Sequence, residues 1–270
     1  MPELPEVETI VRGLRGAITG KSIASTHVLL AKTALAPPGV RFGSALRGER
    51  VQSVGRRGKY ALIHLASGRS LVTSLRMTGR LTVGKKGAPR DRYARIILNF
   101  TDGTALTFAD VRQFGRMRLA EAGEAWDAAL GVEPLDESFT PERFIGMLAE
   151  RTTPIKVFLL DQRRIAGIGN IYACEALWEA RIRPGMPAKT LTKPAIRRLH
   201  HALVHVLGRA IDMRGSSVDD YVDADGMKGG FQNVLSVYGK RDRPCPRCGR
   251  PIVRTLLAAR GTWWCRGCQK

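Results

Sequence analysis

Two Cys-x-x-Cys pairs restrict the C-terminal segment more tightly than any hydrophobic pattern does. Cys245-Pro-Arg-Cys248 and Cys265-Arg-Gly-Cys268 are separated by sixteen residues. Four thiolates at this spacing suit one tetrahedral structural zinc, and a closed four-sulfur shell leaves no position for a reactive water. The intervening GRPIVRTLLAARGTWW reads as a hairpin. Nine Lys and Arg residues lie between Lys240 and Lys270, opposed only by Asp242. A basic zinc hairpin of this kind is a nucleic-acid contact. The fifth cysteine, Cys174, stands in an apolar stretch and is read as core.

Charge extends that reading to the whole chain. Among 270 residues, 44 Lys and Arg face 24 Asp and Glu, a formal net charge of +20. Such an excess points to a polyanionic partner, most often nucleic acid, although it names no reaction. No apolar stretch is long enough to span a bilayer, and the N-terminus lacks the basic-then-apolar layout of a secretory signal. The expectation is a monomeric cytoplasmic protein with no membrane partner.

The hydrophobic period changes along the chain. Val7, Ile10, Val11 and Leu14 form one helical stripe, with a stop at Gly20. From about Ser22 to Ala120 the pattern is strand-like. YALIHL and SLVTSL flank Ser67-Gly68, while ARIILNF and ALTFAD flank Asp102-Gly103, a tight-hairpin signal. Between these hairpins GKKGAPRDR reads as a mobile basic loop. Beyond Pro134 the segments TPERFIGMLAER, PIKVFLLDQ, NIYACEALWEARI and KPAIRRLHHALVHVLGRAIDM read as helices. Residues 214–230 read as a Gly-rich loop. The fold class is therefore α+β: an antiparallel β-sandwich with flanking helices over 1–132, a helical domain over 133–232 and a zinc-finger hairpin over 233–270.

The chemistry-bearing residues start at the opening, MPELPEVET. Acidic residues and proline suit a helix start. A second reading gives them a reaction. Trimming of Met1 leaves Pro2 with a free secondary amine, and an α-amino group titrates at roughly 7.7–8.0, so part of it is unprotonated at neutral pH. Such an amine attacking a sugar's anomeric carbon gives an iminium ion, an electron sink. Glu3 and Glu6 lie close enough to move protons. In GRRGKY, Arg56, Arg57 and Lys59 precede a strand and read alone as a solvated basic turn. In SLRMTGRL and DVRQFG, Met77 read alone is a core or loop methionine, Phe114 core and Arg112 surface; taken together they are the kit that fills a gap in a DNA stack, an apolar wedge and a base-bonding arginine, but spacing alone does not group them. In RIAGIGNIYA, Gly167 and Gly169 allow close backbone approach, Asn170 is placed to cap the next helix, and free backbone N–H groups there suit a phosphate; a plain tight turn with an Asn cap is the equal alternative. His201 and His205 have metal-ligand spacing without a third ligand nearby in sequence and read as structural or exposed.

PELPEVET, RRGKY, RMTG, DVRQFG, GIGNIYACEALW, VYGK and the four-cysteine finger occur in the order seen in the bacterial formamidopyrimidine-DNA glycosylase family. The resemblance covers essentially the whole chain. It implies a helix–two-turns–helix module in the helical domain and a bifunctional base-excision repair enzyme. Such an enzyme removes 8-oxoguanine and formamidopyrimidines from damaged double-stranded DNA and then cuts the strand by β,δ-elimination. It needs one structural Zn2+ and no redox or organic cofactor, and it works at the nucleoid. On this resemblance Pro2 is the Schiff-base nucleophile, Glu3 the general acid/base and Glu6 a second active-site carboxylate. Lys59 lies near the target nucleotide. Met77, Arg112 and Phe114 enter the duplex, with Arg112 facing the orphaned cytosine. Lys156 and Asn170 belong to the DNA-binding module, and Arg260 grips phosphates around the lesion. The chain departs from the family pattern at several positions. Tyr93 lies near a usual phosphate-contacting histidine, Arg76 stands where glycine is common and Gln113 where arginine is common. Val157 replaces a frequent proline, and Met227 and Lys228 occupy a variable loop. Two other readings compete: an endonuclease VIII-like glycosylase for oxidised pyrimidines, and a non-enzymatic zinc-ribbon DNA-binding protein. Leu4 after Glu3, together with the complete Met–Arg–Phe set, favours the first family.

Overall fold

The computed structural model describes residues 2–89, 91–218 and 221–270; Met1, Arg90 of the basic loop, and Asp219 and Asp220 of the Gly-rich loop lie outside the described residues. The apolar stripe forms α1, Leu4–Ile18. Val7, Ile10, Val11, Leu14 and Ile18 are completely buried, and each such side chain contributes about 1.5–3 kcal/mol by leaving water. The helix ends where Thr19 takes up extended backbone and Gly20 turns to φ +83°, a conformation open to glycine at little cost.

Nine strands follow: β1 Ile23–Val28, β2 Ala34–Leu35, β3 Val51–Arg57, β4 Tyr60–Leu65, β5 Ser70–Ser74, β6 Gly79–Lys85, β7 Ala94–Phe100, β8 Thr104–Asp110 and β9 Arg116–Ala120. A short helix, α2 (Phe42–Leu46), lies between β2 and β3. The strands form a four-stranded sheet, β1-β7-β8-β6, and a five-stranded sheet, β2-β9-β5-β4-β3. Both expected hairpins are present, β4–β5 and β7–β8. All pairings are antiparallel except the two-residue β2–β9 contact, which is parallel. One core joins the sheets to α1: Ile96, Leu98, Leu106 and Phe108 from the first meet Ile63, Leu71, Met117 and Leu119 from the second.

The helical part contains α3 (Pro141–Leu148), α4 (Ile155–Leu160), α5 (Asn170–Glu179) and α6 (Lys193–Asp212). Thr140 caps α3, its hydroxyl accepting the Arg143 N–H at 3.1 Å. The C-terminal hairpin pairs β10 (Val253–Leu257) with β11 (Arg260–Trp264). Its two turn residues, Ala258 and Ala259, both have positive φ, 49° and 58°, the backbone of a type I′ turn.

Contacts divide the chain differently from the boundaries expected at 132 and 232. One compact body comprises Met1–Ala128 and Met213–Gly230, the other Ala129–Asp212 and Phe231–Lys270. The Gly-rich loop therefore belongs with the sandwich. The finger shares a core with α5, in which Cys174 packs with Val237, Cys245, Ile252 and Cys265. So short a segment cannot bury a core alone, and α5 supplies the missing face. Among the described residues no helix is long and apolar enough to cross a membrane.

Candidate active site

In the first body the chain start is enclosed. Pro2 is buried, and Glu3 and Glu6 are 4% and 2% exposed. Glu3 is the N-cap of α1, in extended backbone. The Glu6 carboxylate bridges two segments far apart in sequence. Oε2 accepts the Glu3 N–H at 2.8 Å and Oε1 accepts the Ser216 N–H at 2.7 Å. Gly215 makes this approach possible: at φ +78°, a Cβ there would lie 2.9 Å from Glu6 Oε1. The Tyr221 hydroxyl donates to the Glu6 carbonyl at 3.3 Å. Burial, reinforced by the Glu6 charge, pushes the Tyr221 phenol well above its ordinary range, so it remains a neutral donor. Both Glu6 oxygens are thus committed to backbone, and the Glu3 carboxylate accepts the Glu6 N–H in return, completing a capping box at the start of α1.

The GRRGKY turn is more tied down than a solvated turn. Arg56 donates to Glu8 Oε2 at 3.0 Å and to the Gly58 carbonyl at 3.0 Å, and Arg57 donates to Asp127 at 2.9 Å. The Glu8–Arg56 pair ties the β3–β4 turn, which carries Lys59, to α1. Burial raises the Glu8 carboxyl, but hydrogen bonds and charge from Arg56 and Arg12 outweigh it and hold the group below its ordinary value.

Met77, Arg112 and Phe114 come together at the surface. Met77 and Phe114 are 39% and 51% exposed. Arg112 Nη1 lies 3.0 Å from Met77 Sδ, and its guanidinium stands 4.9 Å from the centre of the Phe114 ring. Two of the departing residues share a backbone conformation. Arg76 (φ 53°) and Gln113 (φ 60°) both hold left-handed backbone; at position 76 this is where the common glycine is the easiest occupant, and at position 113 it does not account for glutamine in place of arginine. Tyr93 is half-buried; its backbone N–H reaches Asp91, and Arg92 covers its ring at 4.5 Å.

In the second body Gly169, not Asn170, is the N-cap of α5. Asn170 begins the helix and donates instead to the Gly261 carbonyl at 3.0 Å. Lys156 is 1% exposed. Its ammonium donates to the same carbonyl at 3.1 Å and to Thr262 Oγ1 at 2.8 Å. Two side chains therefore fix the hairpin immediately beside Arg260, which is exposed. Gln162 shapes the GIG turn, accepting the Gly167 N–H at 2.9 Å and donating to the Ile168 carbonyl at 2.8 Å.

The four cysteine sulfurs lie within 4.8 Å of one another. Cys245–Cys268 is 3.8 Å and Cys248–Cys265 3.4 Å. Four sulfurs at about 2.3 Å from one zinc stand about 3.8 Å apart, so the set fits a tetrahedral zinc. Trp178 Nε1 donates to Cys245 Sγ at 3.4 Å, and the Arg247 guanidinium stacks 4.0 Å from the Trp178 ring. These cysteines are the one metal-competent cluster among the described residues. His205 is paired with Glu179 at 2.6 Å, and the ring of His200 packs 4.8 Å from that of Phe139.

Glu6's bridge to Ser216, Lys156's burial and Glu175's role were not legible in advance. Glu175 accepts the N–H groups of Ser236, Val237 and Tyr238 at 2.7, 2.9 and 2.8 Å. Burial pushes its carboxyl up, against the pull of those three donors. A single carboxylate inside the apolar run YACEALW was the available signal, because such a group must find donors.

Three family models match in chain order. They are the formamidopyrimidine-DNA glycosylase N-terminal domain over residues 1–117, its H2TH domain over 130–222, and the zinc finger found in FPG and IleRS over 243–270. The formamidopyrimidine-DNA glycosylase of Brevibacillus brevis is 45% identical, the alignment covering 100% of this chain and 99% of that one. That of Pelotomaculum thermopropionicum is 44% identical over the same shares. A Lactococcus lactis Fpg variant in complex with Fapy-dG-containing DNA superposes with a TM-score of 0.93 at 36% identity, covering 100% of both chains. The Fpg protein of Thermus thermophilus gives 0.89 at 40%, covering 99% of this chain and 98% of that one. With its sandwich, α5 turn and finger each matched in order and over its whole length, the chain belongs to the formamidopyrimidine-DNA glycosylase family.

Proposed function

We propose that this protein is a bifunctional DNA glycosylase and AP lyase of base-excision repair, acting as a monomer on oxidised purines in duplex DNA at the nucleoid. The observation that carries the reading is the enclosed PELPEVET start, with Glu3 at the head of α1, in a chain related to Fpg over its full length. Removal of Met1 frees the Pro2 nitrogen. That nitrogen attacks C1′ of the everted nucleotide, the bond from C1′ to the base breaks, and the base leaves with a proton. Glu3 protonates the ring oxygen, so the sugar opens to an iminium ion. The iminium acidifies C2′; loss of that proton expels the 3′ phosphate, and a second elimination expels the 5′ phosphate. Meanwhile Met77, Arg112 and Phe114 occupy the space left in the stack. Lys59, Arg260 and the second amide hydrogen of Asn170 hold phosphates, and Tyr93 contacts the backbone nearby. Lys156 serves by holding the Arg260 hairpin. A zinc on Cys245, Cys248, Cys265 and Cys268 keeps that hairpin folded.

Lactococcus lactis Fpg has been crystallised with Fapy-dG DNA, with DNA containing an oxidised pyrimidine and with abasic-site DNA, so substrate choice needs its own measurement. Borohydride should trap the wild-type protein covalently on 8-oxoguanine DNA, while Pro2→Gly, which leaves only a primary amine, and Glu3→Gln should each lose most excision activity. Normal cutting by both variants sinks the mechanism. Faster removal of thymine glycol than of 8-oxoguanine opposite cytosine transfers the chain to the endonuclease VIII-like reading.

A further inference from the structure

The three exposed side chains Met77, Arg112 and Phe114 sit on two loops that are not neighbours in sequence. Residues 75–78 join β5 to β6, and residues 111–115 join β8 to β9. Beneath them lies Asp110, completely buried at the end of β8. Its carboxylate serves both loops. Oδ1 accepts the Thr78 hydroxyl and, at 3.2 Å, the Arg112 N–H; Oδ2 accepts the Gly115 N–H at 2.7 Å. The Thr78 hydroxyl also accepts the Arg112 N–H at 3.0 Å. Thr78 therefore donates to the end of β8 and accepts from the second loop, while its chain neighbour is Met77.

Glycines confine both loops to this arrangement. A Cβ on Gly79 would lie 2.4 Å from the Leu75 carbonyl oxygen, and one on Gly115 would lie 2.7 Å from the Phe108 ring. Each loop also holds one non-glycine residue in left-handed backbone, Arg76 before Met77 and Gln113 before Phe114. Strained backbone of this kind persists where its surroundings over-determine it.

We propose that the Thr78 hydroxyl and the Asp110 carboxylate form a latch that couples the two loops, so that Met77, Arg112 and Phe114 enter the duplex as one preassembled unit. This rests on the reading of those three side chains as the ones that fill the vacated stack. Thr78 is assigned a positioning role: its hydroxyl bonds Asp110 and the Arg112 N–H and acts through them. With the latch made, the ordering cost of the two loops is met before DNA arrives. With it broken, each loop must find its inserted position separately.

Thr78→Val removes the hydroxyl at nearly constant shape, and Asp110 keeps the Arg112 and Gly115 N–H groups. In stopped-flow measurements with 2-aminopurine beside an 8-oxoguanine–cytosine pair, the insertion phase of Thr78→Val should slow about tenfold, with excision from duplex DNA falling equally. Thr78→Ser should restore both to within about twofold. Cleavage of a preformed abasic site in single-stranded DNA, where no stack is vacated, should match wild type. A double-mutant cycle of Thr78→Val with Phe114→Ala should be non-additive. Unchanged insertion in Thr78→Val overturns the latch, and so does an equal loss on the single-stranded substrate. If Met77→Ala, Arg112→Ala and Phe114→Ala all leave insertion intact, the stack-filling reading itself has failed. If those three slow insertion and Thr78→Val does not, only the latch has. Should Thr78→Val not fold, Thr78→Ala is read by the same criteria.

Discussion

Glu6 illustrates how one carboxylate decides what its neighbours can do. Its two oxygens accept backbone N–H groups from Glu3 and Ser216, and neither donor has water to fall back on. Glu6→Gln replaces one acceptor with an amide N–H2 that faces a donor. That orphans a buried N–H at a cost of about 1–3 kcal/mol, to be read as a lowered midpoint in urea. Borohydride trapping should fall with it, since the turn bearing Pro2 and Glu3 is loosened. Glu8 makes a second, separable prediction. Its carboxyl lies below its ordinary 4.5 in the folded chain because Arg56 and Arg12 outweigh the opposing effect of burial. Its contribution to stability is therefore complete above that value and is lost as pH falls through the lowered one. Glu8→Gln should lower stability at neutral pH and flatten the acid limb of the stability–pH curve, as seen in thermal melts from pH 7 down to pH 3.

The β10–β11 hairpin shows a charged side chain used for placement. Lys156 and Asn170 both donate to the Gly261 carbonyl, next to Arg260 in the chain. Lys156→Met keeps the volume and removes the charged hydrogen bonds, costing about 1–3 kcal/mol. DNA affinity should drop about as far as in Arg260→Ala, measured by fluorescence anisotropy, although Arg260 is still present and zinc stays bound. If Lys156→Met leaves affinity intact, the hairpin does not depend on that anchor. The hairpin itself was readable in the sequence from the two Cys-x-x-Cys pairs that bracket it, and α1 and α6 from an apolar period repeated over enough residues to be seen. The partner of Lys156 was not, since it lies 105 residues away in sequence and no local pattern reports it. The same holds for Asn170, which local rules made a helix cap; a distant carbonyl drew its side chain away. The Met77–Arg112–Phe114 group was assembled on family resemblance, because spacing says nothing about which loops meet.

The chain's net charge of +20 is a property of all its elements together and belongs to binding rather than to chemistry. A plot of log Kd against log salt should be a straight line, each phosphate contact adding about 0.9 to its slope on duplex DNA. Lys59→Ala or Arg260→Ala should each reduce that slope by about one, whereas Thr78→Val should leave it unchanged; equal slopes for all three would place the phosphate contacts elsewhere. The division into bodies was the least legible level, because residues 214–230 read locally as a Gly-rich loop of the helical domain. In the fold they close the first body, with Ser216 bonded to a glutamate 210 positions earlier. This has a consequence for biosynthesis. On the ribosome the bonds from Ser216 and Tyr221 to Glu6 cannot form until those residues have left the exit tunnel, by which time α3 to α6 have already been made. A nascent chain truncated before Met213 should therefore lack that closure, and its first turn should be cut by protease faster than in the full chain.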